Sequence, residues 1–358
     1  MQKDKLEKLA SERSNPCVTI SMNTPHGNPN NLQDIIEFRE LQKVAHNHVV
    51  DEFGQHPVSN LLWKIDNLEH EIDFRYNLSS IHFFLSDSTS EIVKSSWPTL
   101  QNVVSVAESF VIKPLIKDFN RTEEYLILAL SQTDVRLLRA TNDTISGEIP
   151  VDDFPFDQNP HFLADQEKSG NSKQSDNFIR EFFNNIDKAV LKIHHKTGMN
   201  VVVICTDNNW SKLLQVADQP SVYYGNVSLN SSDTANQSIA AEAFQIVNRI
   251  QEESRAKAIQ EMKEAAGHGK TITNLLDIYN AVKSGRGDLL IMHDDYHQSV
   301  KMDGQYSFHL VDDVTLPGVI DDITSDIAWE VISKKGRVLF TNQEEFNTFG
   351  NIALKVRY

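Results

Sequence analysis

Short apolar runs rich in β-branched residues alternate with amphipathic helical segments along nearly the whole of this 358-residue chain. The runs from Cys17 to Met22 and from Tyr125 to Ser131 have the composition of strands, whereas Leu32 to Phe53 places apolar residues at helical spacing. Strands that alternate with helices are typical of α/β proteins, in which helices cover the faces of a sheet. The sequence therefore predicts an α/β fold, and its 40% of hydrophobic residues is enough for a core.

Three groups of these elements follow one another along the chain, and each has the length of a domain. Residues 1–119 combine strands with the long helix. Residues 120–249 open with a hairpin, contain a long polar loop at 152–175 and continue with helices and strands. Residues 250–358 alternate helix and strand, which indicates a small α/β/α sandwich. We therefore predict three consecutive α/β domains.

The loop at 152–175 is a long polar stretch with little hydrophobic periodicity. A loop of this length inside a domain is usually functional or disordered. We therefore hypothesise that the functional element of the chain lies between Phe154 and Ser175. Other elements are predicted from periodicity, namely a strand from Ser105 to Ile112 and helices from Asp176 to His195, from Ser238 to Arg249 and from Gln251 to Ala266.

The compact motifs of metal, nucleotide and triad enzymes are absent from the sequence. His194 and His195 are adjacent on a predicted helix, so their side chains point about 100° apart, and they are better explained as cations at a helix end. The run Gly267 to Thr271 lacks the first glycine of a phosphate loop. His293-Asp294-Asp295 follows a predicted strand and is interpreted as a solvated strand end. We predict neither a metal site nor a bound cofactor.

Charge and cysteine content limit the compartment and the partners that we expect. The first 16 residues are charged and lack an apolar core, and no apolar stretch approaches the roughly 20 residues of a membrane span, so we expect no secretory signal and no membrane partner. Two distant cysteines fit a reducing compartment, which predicts a cytoplasmic protein. The net charge of −16 means that any contact with RNA must use a local basic face, or that a protein surface does most of the docking.

Four segments together resemble the archaeo-eukaryotic peptide-chain release factors. The end of the chain, Gly350 to Tyr358, resembles their terminal strand, in which a glycine leads an apolar run into Arg-Tyr, and Thr273 to Met292 is similar to the helix, glycine and strand of the same domain. Cys17 to Pro25 resembles the start of their first domain, and Tyr125 to Leu138 resembles the hairpin that opens their middle domain. The order of these segments is similar to that of the bacterial archaeo-eukaryotic release factor family, in the branch called family 3.

That resemblance implies an RNase H-like middle domain, an L7Ae-like last domain and an RNA-binding role in bacterial translation, with the ribosome, tRNA and a translational GTPase as partners. Classical members insert a Gly-Gly-Gln loop of the middle domain into the peptidyl-transferase centre. This chain has no Gly-Gly-Gln and no Asn-Ile-Lys-Ser stop-codon signature. The remaining candidates in the equivalent loop are Gly170, Asn171, Lys173 and Gln174.

Two functions therefore stay open. The first is a ribosome-associated factor in rescue, which hydrolyses peptidyl-tRNA through a divergent loop. The second is a non-catalytic RNA- or ribosome-binding scaffold. A nuclease is a third, more distant alternative, because an RNase H-like fold can also hold carboxylates and metal.

Overall fold

The strands form four β-sheets in the part of the chain that this computed structural model describes, namely residues 3–24, 32–74, 78–99, 101–130, 135–156, 172–228, 236–312, 316 and 318–358. Helices accompany the sheets along the whole sequence, so the predicted α/β class is confirmed. The chain divides into two compact units. One combines Met1–Arg121 with Lys257–Tyr358, and the other is Thr122–Ala256. The first unit thus contains the first and the last of the three predicted domains, and the finer division into three stays a prediction.

The first sheet is antiparallel and has the order β3-β2-β1-β4. Its strands are β1 (Cys17–Asn23), β2 (Ser80–Leu85), β3 (Ser90–Ser95) and β4 (Val103–Ala107). One face of the sheet packs against α2 (Leu32–Phe53) and α3 (Ser59–Asn67), which bury Phe38, Val49 and Leu61 on it. The strand predicted from Ser105 to Ile112 is wrong in its second half, because β4 ends at Ala107 and the chain continues towards a helix.

The other face of the first sheet meets α1 (Lys3–Ser11) and α4 (Lys113–Arg121). Apolar contacts of Leu6, Leu9, Phe84 and Leu115 hold these elements in one core with apolar residues from the end of the chain. Towards Asn23 this face becomes polar, and its buried polar side chains are Thr19, Ser21, Ser80, His82, Ser95 and Ser105.

The second unit is built on a five-stranded sheet with the order β7-β6-β5-β8-β9. Its strands are β5 (Glu124–Leu130), β6 (Val135–Thr141), β7 (Thr144–Glu148), β8 (Val201–Ile204) and β9 (Tyr223–Val227). The first three strands are antiparallel, which confirms the predicted hairpin, and β5, β8 and β9 run parallel. One face of the sheet packs against α5 (Ser172–Thr197) and α6 (Asp207–Val216).

The opposite face of this sheet packs against the first part of α7, a single helix over Asn236–Gly267. The sequence predicted two helices here, from Ser238 to Arg249 and from Gln251 to Ala266, and this prediction is wrong. Neither glycine nor proline interrupts residues 236–266, so the break in hydrophobic periodicity at Ile250 changes the buried face without ending the helix.

The last sheet has the order β10-β16-β11-β15, with β11 and β15 parallel and the other pairs antiparallel. Its strands are β10 (Thr271–Ile272), β11 (Gly287–His293), β15 (Arg337–Thr341) and β16 (Ile352–Val356). Helices α8 (Leu275–Lys283) and α9 (Ile323–Ser333) cover one face, and the end of α7 covers the other. The predicted α/β/α layering is therefore confirmed. A small sheet of β12 (Val300–Met302), β13 (Phe308–Leu310) and β14 (Val319–Ile320) lies beside it.

Candidate functional site

The four loop residues that the sequence singled out divide into two pairs. Gly170 and Asn171 lie outside the described residues. Lys173 and Gln174 belong to helix α5, which begins at Ser172 instead of Asp176. The prediction that these two residues lie in a loop is wrong, because lysine and glutamine are good helix formers and a polar first turn can precede the apolar face of a helix.

The start of the predicted polar loop is anchored on the core of the second unit. Asp152 and Asp153 form an exposed turn, but Phe154 is buried and Phe156 is half-buried. The ring centroids of Phe154 and Phe156 lie 5.2 Å apart, and the ring of Phe156 lies 6.0 Å from that of Phe182 on α5. Segment 157–171 of the predicted loop lies outside the described residues, and Phe154 before it and Phe182 after it belong to the same hydrophobic core.

Helix α5 is also fixed by a buried carboxylate. Asp187 is fully buried and accepts a hydrogen bond of 2.7 Å from the hydroxyl of Tyr223 and one of 3.0 Å from the backbone N–H of Asp218. Burial, together with this hydrogen bond to Asp187, raises the pKa of the Tyr223 phenol well above its usual range, so the phenol stays a donor. These bonds join α5 to β9 and to the chain that precedes β9.

Within the described ranges, no group of three or more His, Cys, Asp or Glu side chains could hold a metal ion. His194 instead makes a 2.8 Å hydrogen bond through Nδ1 with the carbonyl oxygen of Met199, just beyond the end of α5. None of the helices in this part of the chain is both long and apolar enough to cross a bilayer.

A pocket of about 160 Å³ lies in the first unit, between the polar face of the first sheet, helix α4 and the segments that follow β11 and precede α9. We call it the α4 pocket. Its lining includes Ser21, His82, Trp97, Lys117, Asp294 and Asp321.

The floor of the α4 pocket is a buried hydrogen-bonded chain on β1 and β2. The imidazole of His82 lies between the hydroxyls of Ser21, 2.9 Å from Nδ1, and Ser80, 3.0 Å from Nε2. The Ser80 hydroxyl donates in turn to the carbonyl oxygen of Trp97 at 2.7 Å. Burial lowers the pKa of His82 to about 4, so the ring is neutral at physiological pH.

Three cations from one face of α4, spaced four residues apart, form a wall of the pocket. Lys113 donates to Thr324 Oγ1 at 2.9 Å, to Asp322 Oδ2 at 3.3 Å and to the backbone oxygen of Tyr296. Its side chain is only 8% exposed. Residues four apart on a helix lie on one face, so all three cations are on the same side of α4. That side faces the C-terminal segments around Asp294 and Asp322.

The second and third cations of this wall meet the segment after β11. Lys117 donates to the backbone oxygen of Asp294, and burial lowers its pKa to about 8. Arg121 forms an ion pair with the Asp294 carboxylate and lies 5.2 Å from the ring centre of Trp97. Asn342 donates to the same carboxylate at 2.8 Å.

This pocket corrects one expectation from the sequence and contains one helix that was not predicted. Asp294 was interpreted as part of a solvated strand end, but its side chain is 11% exposed and is held in an ion pair. Helix α4 was not predicted, although Lys113, Lys117 and Arg121 follow the spacing of one helical face. This four-residue spacing is the sequence pattern from which a helix with three cations on one face could have been predicted.

The comparisons with known proteins match the second unit most directly. Residues 124–286 match the model of bacterial archaeo-eukaryotic release factor family 3, which confirms the resemblance over this part of the chain. No curated protein matches the sequence.

Several solved structures are similar to this chain at low identity. The archaeal translation termination factor aRF1 is 12% identical, with 100% of this chain and 99% of that one covered and a TM-score of 0.24. Archaeoglobus fulgidus Pelota is 12% identical, with 76% and 77% covered and a TM-score of 0.36. Archaeal Pelota in a model of its ribosome-bound state with ABCE1 is 12% identical, with 99% and 94% covered and a TM-score of 0.43. With TM-scores below 0.5, these three likenesses carry neither a fold assignment nor a function.

Proposed function

We propose that this chain is a cytoplasmic, release-factor-like protein that acts on stalled ribosomes. The observation that carries the proposal is the match of residues 124–286 to release factor family 3. That stretch contains all of α5, α7 and the five-stranded sheet, together with the start of the last sheet. The ribosome and its bound tRNA are the proposed partners, and a translational GTPase is proposed as the factor that delivers the protein.

Two finer assignments belong to this proposal. The five-stranded sheet joins three antiparallel strands to two parallel strands in the order β7-β6-β5-β8-β9, which supports an RNase H-like middle domain. The layering of α8 and α9 on one face of the last sheet, with α7 on the other, supports an L7Ae-like last domain. Because a fold does not determine a function, neither assignment identifies the reaction.

Segment 157–171 is the element through which we propose that peptidyl-tRNA is hydrolysed. Its flanks are fixed on one core, by Phe154 on one side and by Phe182 on the other. A fixed base keeps the positions of an active element reproducible, which is what positioning water against an ester requires. Gly170 and Asn171 are the candidates within the segment, and Gly170 is its single glycine.

The second candidate function, a scaffold that binds without catalysis, is favoured by a specific observation. Gln174, the glutamine closest to Gly170 on its C-terminal side, belongs to α5 and so cannot take the place of the glutamine of a Gly-Gly-Gln loop while it stays helical. Five carboxylates precede it in residues 152–167, and their charge opposes entry among rRNA phosphates.

Stalled ribosomes that carry peptidyl-tRNA separate these functions. The test variant replaces residues 158–170 with a Gly/Ser sequence of equal length, and the matched control replaces residues 229–235 of the same unit in the same way. Cosedimentation measures binding to ribosomes, and the freed peptide measures hydrolysis.

We expect the wild type and the control to bind and to release peptide, and the test variant to bind without release. Binding without release by all three proteins would support the scaffold. Failure of the wild-type protein to cosediment with vacant, translating or stalled ribosomes would refute both functions.

A further inference from the structure

The α4 pocket contains two charged groups of opposite sign, Lys117 and Asp321, neither of which forms an ion pair among the described residues. Lys117 bonds to a backbone oxygen, and the Asp294 carboxylate beside it is already paired with Arg121. In the described part of the chain, no carboxylate lies within ion-pair distance of Lys117, and no cation lies within that distance of Asp321. Burial raises the pKa of Asp321, and it lowers that of Lys117 in spite of the nearby Asp294 and Asp295 carboxylates, so the loss of hydration outweighs the surrounding charges at both groups.

Two polar atoms in the same lining, Trp97 Nε1 and Asp294 Oδ1, also have no hydrogen-bond partner among the described residues. Among the described residues, the buried Nε1 of Trp97 has no acceptor, and the buried Oδ1 of Asp294 has no donor, since both bonds to that carboxylate are made by Oδ2. Buried polar atoms nearly always have a partner, so two such atoms in one pocket indicate that something else binds there. A ligand that satisfies both atoms must accept a hydrogen bond from Trp97 Nε1 and donate one to Asp294 Oδ1.

The pocket has room and an opening for such a molecule. One water molecule needs roughly 10–15 Å³ of cavity volume, so the cavity of about 160 Å³ holds on the order of ten water-sized groups. Pro98, Asp295 and His297 line the pocket and are exposed, so a small molecule can enter from solvent on that side.

We propose that the α4 pocket binds a small zwitterion, whose carboxylate meets Lys117 and Trp97 Nε1 and whose ammonium group meets Asp321 and Asp294 Oδ1. Each contact is a charge-assisted hydrogen bond at a poorly hydrated site, where such bonds are strong. A simple amine leaves Lys117 without a partner, and a simple carboxylate does the same to Asp321. A phosphate group can pair with Lys117 but, like a simple carboxylate, leaves Asp321 without a cation.

This site is independent of the proposed ribosomal function. Every residue that lines the pocket lies at or before Arg121 or at or after Asp294, outside the segment that matches the release factor family. The ligand could therefore be tested on the isolated full-length protein without ribosomes.

The experiment is a calorimetric titration of the full-length protein with a series of unbranched amino acids, from glycine and β-alanine to γ-aminobutyrate and ε-aminohexanoate. Lengthening the chain varies the distance between the two charges, so one member is expected to bind best. Butylamine and butyrate each carry one of the two charges and serve as ligand controls. Concentrations extend to about 10 mM, which detects a dissociation constant of about 1 mM.

Variants connect binding to the pocket. Lys117→Gln and Asp321→Asn are each expected to weaken the best zwitterion at least tenfold, and Trp97→Phe removes the Nε1 donor while keeping an aromatic ring. Lys43→Gln and Asp51→Asn make the same charge changes at exposed positions of α2 and are expected to bind as the wild type does. Thermal unfolding shows which variants remain folded.

The expected result is saturable binding of one zwitterion that both pocket variants weaken and both controls leave unchanged. The proposal is overturned if no member of the series binds, if butylamine or butyrate binds as tightly as the best zwitterion, or if folded Trp97→Phe and Lys117→Gln proteins bind it unchanged.

Discussion

The buried imidazole of His82 makes the stability of the first unit depend on pH in a calculable way. Its pKa in the folded protein is about 4, because burial penalises the charged ring, whereas a histidine in an unfolded chain has a pKa of about 6.5. Between these two values the unfolded chain binds a proton that the folded chain does not. The contribution of His82 to stability is therefore fully present above about pH 6.5 and is lost as the pH falls towards 4.

The size of this loss follows from the two pKa values. At about pH 4.5 nearly every unfolded chain carries the proton on His82, and most folded chains do not. Lowering the pH from about 7 to about 4.5 therefore costs the folded state about 2.5 kcal/mol through this residue. A penalty of that size is a large fraction of the stability of an ordinary domain.

The perturbation that isolates this contribution is His82→Gln. Glutamine keeps a side chain that can bond to the Ser21 and Ser80 hydroxyls but has no proton to take up in this pH range. Other titrating groups affect both proteins equally, so the difference between the two stability curves reports on His82 alone. The exposed His56, changed to Gln, is the matched control.

Urea unfolding, followed by tryptophan fluorescence in a Trp210→Phe background, is the assay. The other three of the four tryptophans, Trp63, Trp97 and Trp329, all belong to the first unit, so the signal reports on that unit. We expect the wild type to lose about 2.5 kcal/mol more than His82→Gln does between about pH 7 and 4.5. Parallel curves for the two proteins, or an equal effect of His56→Gln, would refute the reasoning.

The remaining predictions concern packing and pairing. Lys113→Met should destabilise the first unit by about 3 kcal/mol in urea unfolding, because it leaves a buried carboxylate without its cation; a loss below about 0.5 kcal/mol would contradict this. Phe154→Ala should cost the second unit about 3 kcal/mol, measured by the fluorescence of Trp210, and an unchanged midpoint would show that the anchor is unimportant. Gly336→Ala should cost about 2 kcal/mol because its Cβ would lie 2.5 Å from Val331 Cγ1, whereas Gly267→Ala, which meets nothing within 4 Å, should be neutral or stabilising.

The elements that sequence reasoning found are those whose hydrophobic pattern is local. The run from Tyr125 to Leu130 is apolar at every position, and helix Leu32–Phe53 was predicted with its observed bounds. The helix bounds that were predicted wrongly depend on contacts with other parts of the fold. Ser172 begins a helix earlier than its apolar face begins, and the uninterrupted α7 joins two segments whose buried faces differ.

The candidate site was predictable only in part, for a physical reason. The sequence predicts a functional loop before α5, and this stays a prediction, since residues 157–171 lie outside the described part of the chain. The α4 pocket depends on pairs such as Lys113 with Asp322, whose separation along the chain is 209 residues. Periodicity describes which face of an element is buried, but it does not indicate which distant element covers that face. A helix with three cations on one side is therefore recognised as a partner of acidic segments only when the fold brings them together.

The strand β1 nevertheless contains a sequence signal for the pocket. Val18, Ile20 and Met22 point to one face of the first sheet and pack on α2 and α3, while Thr19 and Ser21 point to the other. Alternation of this kind ordinarily indicates that the polar face meets water, but both polar residues here are fully buried.

A buried sheet face has no reason to be polar unless its hydroxyls have partners. On this face the imidazole of His82 is the partner of the Ser21 hydroxyl, and the Thr19 hydroxyl accepts a hydrogen bond from the backbone N–H of Val111, which lines the α4 pocket. If the face serves only to join the start and the end of the chain, replacing Ser21 and His82 together by apolar residues of similar size would stabilise the first unit and leave the binding of the zwitterion unchanged. If the polar face helps to hold the ligand, whose pocket both residues line, the same double change would weaken the binding of the zwitterion whatever its effect on stability. Stability and binding, measured on that one variant, therefore separate a structural origin of the polar face from a functional one.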